Sequence, residues 1–373
     1  MQKKEPVDRR LPWVRQIHDL DGARAGTTSS ARLHAVRGAA ERLGDAMRSG
    51  PRAIAVRTFP LTTLLYPTKY AFSGAALTPA PYVYMIHRCL FVQVMAEGEV
   101  KNILFNPTDY VASRATPFFK ALIDRYGEFV SYKLMAKAYG QVEEHLAKVG
   151  VLPSEIDVIA FDHFHTQDLR PLLGTRGGMA ARFPNAYLLA PRREWADWDE
   201  VHPFQAAWFI ADGKKDVPEQ RVVLTDDDLA LGDGCLLLRT PGHTSGNQTL
   251  FVHAEQGVFG CSENGTAADN WSPGASRIAG LRGFARHQML EVVLNANTPE
   301  MGIEQYTSMM LERTLVDRVA AAPSFVQMFP SSEVTPSFLA PGIRPGWVFG
   351  EMTSGTVQTR RPNAQVAPIR AQA

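Results

Sequence analysis

The sequence predicts an α/β fold carried by one large domain, and three observations predict it. Residues 156–161 are a short apolar run, with Ile156, Val158, Ile159 and Phe161, of the kind that fills a buried strand. A helical stretch ending at Gly150 precedes that run and a polar, histidine-bearing loop follows it; functional groups of α/β sheets gather at such C-terminal strand edges. Residues 82–95, Y-V-Y-M-I-H-R-C-L-F-V-Q-V-M, have the β-branched and aromatic composition of a strand, and stretches with apolar residues three and four apart mark helices on both sides of them.

A chain of 373 residues accommodates one α/β domain with extensions. Its 39 basic and 38 acidic residues create no overall field to draw in nucleic acid or an anionic membrane, so neither is expected as a partner. Cys89, Cys235 and Cys261 are odd in number, far apart and without a C-x-x-C pair, which argues against a disulfide framework or a thiolate zinc site and fits a reducing cytoplasm. The first residues lack the apolar run of a signal peptide, and no window reaches the ~20 apolar residues of a spanning helix. A small-molecule substrate is the expected partner, and a homo-oligomer is left open.

Residues 1–22, polar and proline-bearing, are expected to form an arm over the body or to be disordered. Residues 23–49 read as a helix, with T-T-S-S offering caps, Leu33, Val36, Ala40, Leu43 and Met47 at helical spacing, and Gly50-Pro51 ending it. Residues 1–50 are thus an N-terminal arm and helix, 51–349 the main domain, and 350–373 a flexible tail. Within the main domain, Ile54, Val56 and Phe59 begin a strand, and residues 82–95 and 103–105 form a hairpin. Residues 116–126 and 131–150 read as helices, 186–190 as a strand, and 191–217 as an aromatic-rich insertion with Trp195, Trp198 and Trp208. Further strands are read at 222–224, 229–231, 235–239, 249–253 and 290–297, and an amphipathic helix at 298–319. His87, inside a strand run, reads as a core or sheet-face histidine.

The chemistry concentrates in H-F-H-T-Q-D at 163–168. Two histidines at i and i+2 present their rings to one side of an extended backbone, which is a chelating arrangement or, alone, a pair of satisfied loop histidines. A third ligand decides between these, and His243 supplies it: it stands in T-P-G-H-T-S-G at 240–246, between two strands and flanked by glycines that let the backbone approach closely. Asp168, three residues after His165, reads as a fourth ligand, an acceptor behind an imidazole, a general base or a helix N-cap. Glu263, in S-E-N-G beyond another buried strand, reads as a metal or substrate contact or as a loop charge facing water. Asp162 reads as a group supporting the histidines.

These residues together resemble the metallo-β-lactamase superfamily, whose mark is H-x-H-x-D-H at the end of a buried strand and a P-G-H-T turn further on. The likeness spans residues 54–335. It implies an αββα sandwich, two mixed β-sheets face to face with helices outside and a metal site along one edge. It also implies that His163, His165 and His243 bind a first metal. In that family a second metal takes the Asp and last His of the motif, a bridging Asp after a later strand and a His in a late turn. Here those places hold Gln167, Asp168, Ser262 or Glu263, and Ser332, so one ion is favoured over two.

Three neutral imidazoles suit zinc, with iron or manganese as alternatives, and leave a position open for water, whose pKa such an ion lowers to about 7. The expected function is therefore a metal-dependent hydrolase whose metal-bound hydroxide attacks an ester, lactone, thioester or similar bond of a small molecule. His163, His165, His243 and Asp168 are the expected metal ligands, and Asp168 and Glu263 the expected catalytic groups. A second reading keeps the fold and pocket for binding or scaffolding without efficient hydrolysis, because Gln167 cannot take a proton. A third places iron at the same site in a redox enzyme.

Overall fold

The computed structural model describes residues 5–131 and 136–359. Its strands make two mixed sheets. The first has seven strands in the order β1 (Pro6–Asp8), β2 (Leu11–Ile17), β9 (Asp228–Ala230), β10 (Cys235–Arg239), β11 (Gln248–Ala254), β12 (Gly257–Ser262) and β13 (Met328–Pro330). The second has eight: β15 (Thr353–Gly355), β3 (Ala55–Pro67), β4 (Tyr82–Ala96), β5 (Glu99–Phe105), β6 (Val158–Ala160), β7 (Tyr187–Pro191) and β8 (Val222–Thr225), with β14 (Ser332–Val334) paired to β4. The run β5–β8 is parallel, as is β12 with β13, and the remaining pairings are antiparallel.

The alternation of strand side chains explains why the sheets stack. On β4, Leu90, Val92 and Val94 point into a core shared with Leu237, Leu250, Val252 and Phe259 of the other sheet, while Cys89 and Phe91 point out to a layer holding Leu146, Leu172 and Trp198. On β10 the outward Leu236 and Leu238 meet the helices Ser29–Ser49 and Gly302–Leu315 through Val36, Leu43, Met309 and Leu315. Helices therefore cover both outer faces, and the layer order is the αββα sandwich that the resemblance implies. The helix Ser29–Ser49 begins at a capped end, with the Thr28 hydroxyl accepting the Ala31 N–H at 3.2 Å. Among the described residues no helix is long and apolar enough to cross a membrane.

Four segments differ from the sequence expectation. Within residues 1–22, β1 and β2 join the first sheet instead of lying over it as a polar arm, because Leu11, Trp13 and Val14 enter the shared core. At the other end, Thr353–Gly355 pairs with β3, while the rest of the expected tail, 360–373, lies outside the described residues. The expected helix over 131–150 shortens to Val142–Lys148; Tyr139 N–H instead bonds the Leu61 carbonyl at 2.9 Å and Gly140 (φ +141°) leaves helical space, while 132–135 lie outside the described residues. Residues 290–297 are not a strand: Val293 N–H bonds Asn270 O (2.8 Å) and Asn295 N–H bonds Asn264 O (3.0 Å), so their backbone serves two loops rather than one ladder.

Candidate metal centre

The three histidines arrive from opposite sheets. His163 and His165 follow β6 of the second sheet; His243 sits in the turn between β10 and β11 of the first. At this edge the sheets are stitched together, with Gln248 N–H bonding the Asp162 carbonyl at 2.9 Å and Gln248 Nε2 the Phe161 carbonyl at 2.8 Å. Glu194, at the start of the helix Arg192–Asp197, clamps the two loops further: its carboxylate accepts Phe164 N–H at 3.0 Å and Gly246 N–H at 3.1 Å. Phe164 lies between the first two histidines and Gly246 three residues past the third, so one buried carboxylate sets their separation.

The ring nitrogens of His163, His165 and His243 lie within 4.8 Å of one another, and among the described residues this is the group of three or more potential ligands close enough to share an ion. Each ring is oriented. His163 Nδ1–H donates to Asp162 Oδ1 at 2.7 Å, which turns Nε2 toward the group. His165 presents Nδ1, 3.2 Å from His243 Nε2. His243 has its N–H on Asn264 Oδ1 (2.9 Å), its carbonyl on the Thr298 hydroxyl (2.6 Å) and its Nδ1 3.0 Å from Asn295 Nδ2. Burial, with the neighbouring His163 acting in the same direction, pushes the imidazoles of His165 and His243 well below the usual range and keeps them neutral, the form that ligates. Three converging ring nitrogens with one side facing a cavity fit a zinc-like ion with an open position.

Glu263 lines the same cavity. Its Oε2 accepts Ser332 N–H at 2.8 Å, and burial, reinforced by the charge of Asp162, pushes its carboxyl well above the ordinary value. His87, a buried sheet-face histidine of β4, also faces the cavity: Nδ1 is 3.0 Å from the Ser332 hydroxyl and Nε2 2.8 Å from that of Thr108. Burial lowers its pKa to about 4, so it is a neutral hydrogen-bonding group.

Asp168 is not brought into the ligand group. Its Oδ1 accepts Arg170 Nε–H at 2.9 Å and its Oδ2 Arg170 Nη2–H at 2.6 Å, while Oδ1 also takes the Arg170 backbone N–H at 3.1 Å. Thr166, held in the left-handed region at φ 65°, turns the chain between His165 and Asp168, and the nearest cation captures the carboxylate. The expectation of Asp168 as a ligand and catalytic group is therefore not met, and the helix-capping alternative is the one its backbone contact resembles. Sequence reasoning missed Glu194, Asn295 and Thr298 altogether. A glutamate in a helix's first turn and two polar loop residues carry no local signal of contact with histidines tens of positions away.

The wall of the cavity beyond the polar group is mainly apolar, with Leu65, Tyr66, Met85, Phe119, Leu122 and Trp208 among its lining beside Thr62, Ser113 and Arg114. Trp208 belongs to the aromatic-rich insertion and lies 6.1 Å from the His165 ring, centroid to centroid.

No protein-family model and no curated protein sequence matches the chain. Solved structures do resemble it. A quorum-quenching N-acyl homoserine lactone lactonase is 18% identical, with 64% of this chain and 87% of that chain covered at a TM-score of 0.42. A probable metal-dependent hydrolase from Staphylococcus aureus is 12% identical over 60% of this chain and 77% of that one, TM-score 0.45. The hydrolase AbOPH in the beta lactamase superfamily is 13% identical over 70% and 84%, TM-score 0.41. Likenesses this distant transfer no chemistry, and what the site does follows from this chain's own residues.

Proposed function

We propose that the chain is a metal-dependent hydrolase of an ester, lactone, thioester or similar bond in a small molecule, with a single zinc-like ion held by His163, His165 and His243. The observation that supports it is the convergence of three imidazoles at one end of a mainly apolar cavity. A bound ion supplies Lewis acidity and water that ionises near neutral pH. The chain's residues do the rest. Asp162 holds His163 in register, Glu194 fixes the spacing of the two loops, and the apolar wall orders the acyl or aryl part of the substrate and excludes water. Glu263 lines the same cavity, and burial shifts its carboxyl toward the protonated form, so it is the group we assign to give a proton to the leaving-group oxygen. Its three cysteines are buried and unpaired, which supports our assignment to a reducing compartment.

The test is metal analysis of the purified protein followed by an ester and lactone panel before and after chelation. Bound metal and chelator-sensitive turnover, both lost in His243→Ala, are expected. Bound metal with no turnover on any substrate supports the second reading, a binding or scaffolding protein, which Gln167 and Ser332 favour because neither can serve as a base.

A further inference from the structure

Two of the three rings hold their proton on the side away from the ligand group, and the third does not. His163 donates Nδ1–H to Asp162 Oδ1 at 2.7 Å, which leaves its Nε2 bare. His243 is fixed the other way by Asn295, a fully buried amide in the loop after the helix Leu281–Gln288. Asn295 Nδ2 lies 2.9 Å from the Glu263 carbonyl, which can only accept, so that end of the amide is nitrogen. The amide oxygen accepts the Tyr66 hydroxyl at 2.7 Å. The same nitrogen stands 3.0 Å from His243 Nδ1 and has a second hydrogen for it, so Nδ1 is an acceptor and the neutral ring carries its proton on Nε2. His243 Nε2 is 3.2 Å from His165 Nδ1, and its proton makes that atom the acceptor. The proton of His243 therefore points into the space where the three nitrogens converge.

We infer that Asn295 is the positioning residue that sets the tautomer of His243, and that it holds this ring against ligation until its amide turns over. Nε2 can bind an ion only after its proton has moved: the proton leaves Nε2 to water and Nδ1 takes one up, so the ring stays neutral and no net proton is lost. Nδ1–H then needs an acceptor, and a half-turn of the Asn295 amide supplies Oδ1. The Tyr66 hydroxyl permits this turn, because a phenol that donates to the amide oxygen can equally accept from the amide nitrogen. The Glu263 carbonyl gives up its donor, so loading the ion breaks one buried hydrogen bond. Tyr66 also lines the cavity, which joins the substrate wall to the His243 tautomer through a single amide. The inference rests on the proposed metal centre.

The experiment uses the full-length protein with metal removed and its histidines labelled with nitrogen-15. Long-range proton–nitrogen correlation spectra at about pH 8, above the ordinary histidine pKa of about 6.5, distinguish a bare from a protonated ring nitrogen, and His243→Ala identifies the signals. His243 is expected to show a bare Nδ1 and a protonated Nε2 without metal, and a protonated Nδ1 after zinc is added. A protonated Nδ1 in the metal-free protein overturns the inference. Zinc affinity, read by competition with a chromophoric chelator, gives a second measure: Asn295→Asp offers Nδ1–H a carboxylate without any turn and is expected to bind zinc roughly 10–100-fold more tightly than wild type. Equal or weaker binding by a folded Asn295→Asp also overturns the inference; if that variant does not fold, the wild-type spectra carry the test. A wild type that binds no zinc sinks the metal centre itself, while its metal-free spectrum still decides the tautomer.

Discussion

Two imidazoles of the centre are held from behind by different kinds of group: a carboxylate for His163, and a backbone and amide cradle for His243. The carboxylate is the stronger holder, accepting the His163 ring N–H at 2.7 Å, so its loss is the most informative single change. Asp162→Asn is expected to weaken zinc affinity roughly 10–100-fold, read by chelator competition, while the fold survives because Asn still accepts from backbone. Asp168 gives the opposite expectation. Since Arg170 occupies both of its oxygens, Asp168→Asn should leave the zinc content of the purified protein unchanged by elemental analysis; a drop would return Asp168 to the ligand set.

At the level of elements, the site depends on how closely the His243 turn approaches the helix Arg192–Asp197. Gly246 makes that approach feasible: a methyl group there would lie 2.5 Å from Glu194 Cβ and 2.7 Å from its backbone nitrogen. Gly246→Ala must therefore push the turn off the helix and stretch the clamp that Glu194 makes to both histidine loops. The expected cost is ~1–3 kcal/mol of overpacking, seen as a lower melting temperature, together with weaker zinc binding. Unchanged affinity at lowered stability would show that the clamp does not set the spacing of the histidines.

Across the whole molecule, Glu312 links layers that the site depends on. From the helix Gly302–Leu315 it accepts from the Thr249 hydroxyl of β11 at 2.7 Å, from Asn264 Nδ2 at 2.8 Å and from Trp271 Nε1 at 2.7 Å. Burial raises its pKa from 4.5 to about 7, against the opposing pull of those donors. Between these values the folded protein holds a proton that the unfolded chain has released, so this group's contribution is full below 4.5 and is lost as pH rises through about 7. The whole shift corresponds to ~3 kcal/mol. Glu312→Gln cannot ionise, and the fall in unfolding free energy between about pH 5 and about pH 8, measured in denaturant, is expected to shrink by ~2–3 kcal/mol. An identical pH dependence in wild type and variant would mean that Glu312 ionises freely in the fold.

The sequence by itself determined the main strands and the three candidate ligands. The β-branched and aromatic composition of residues 82–95 already marks β4, and the H-F-H and P-G-H segments already name the three imidazoles, because both signals lie within a few adjacent residues. Only the tertiary structure decided what stands behind those imidazoles. Glu194 and Asn295 reach the histidine loops from 30 to 52 positions away, Asp168 was taken by Arg170, and the sheet face that carries His87 became a wall of the cavity. Side-chain hydrogen bonds across such separations have no period and no fixed spacing, so they exist only once the two sheets have packed and brought their edges together.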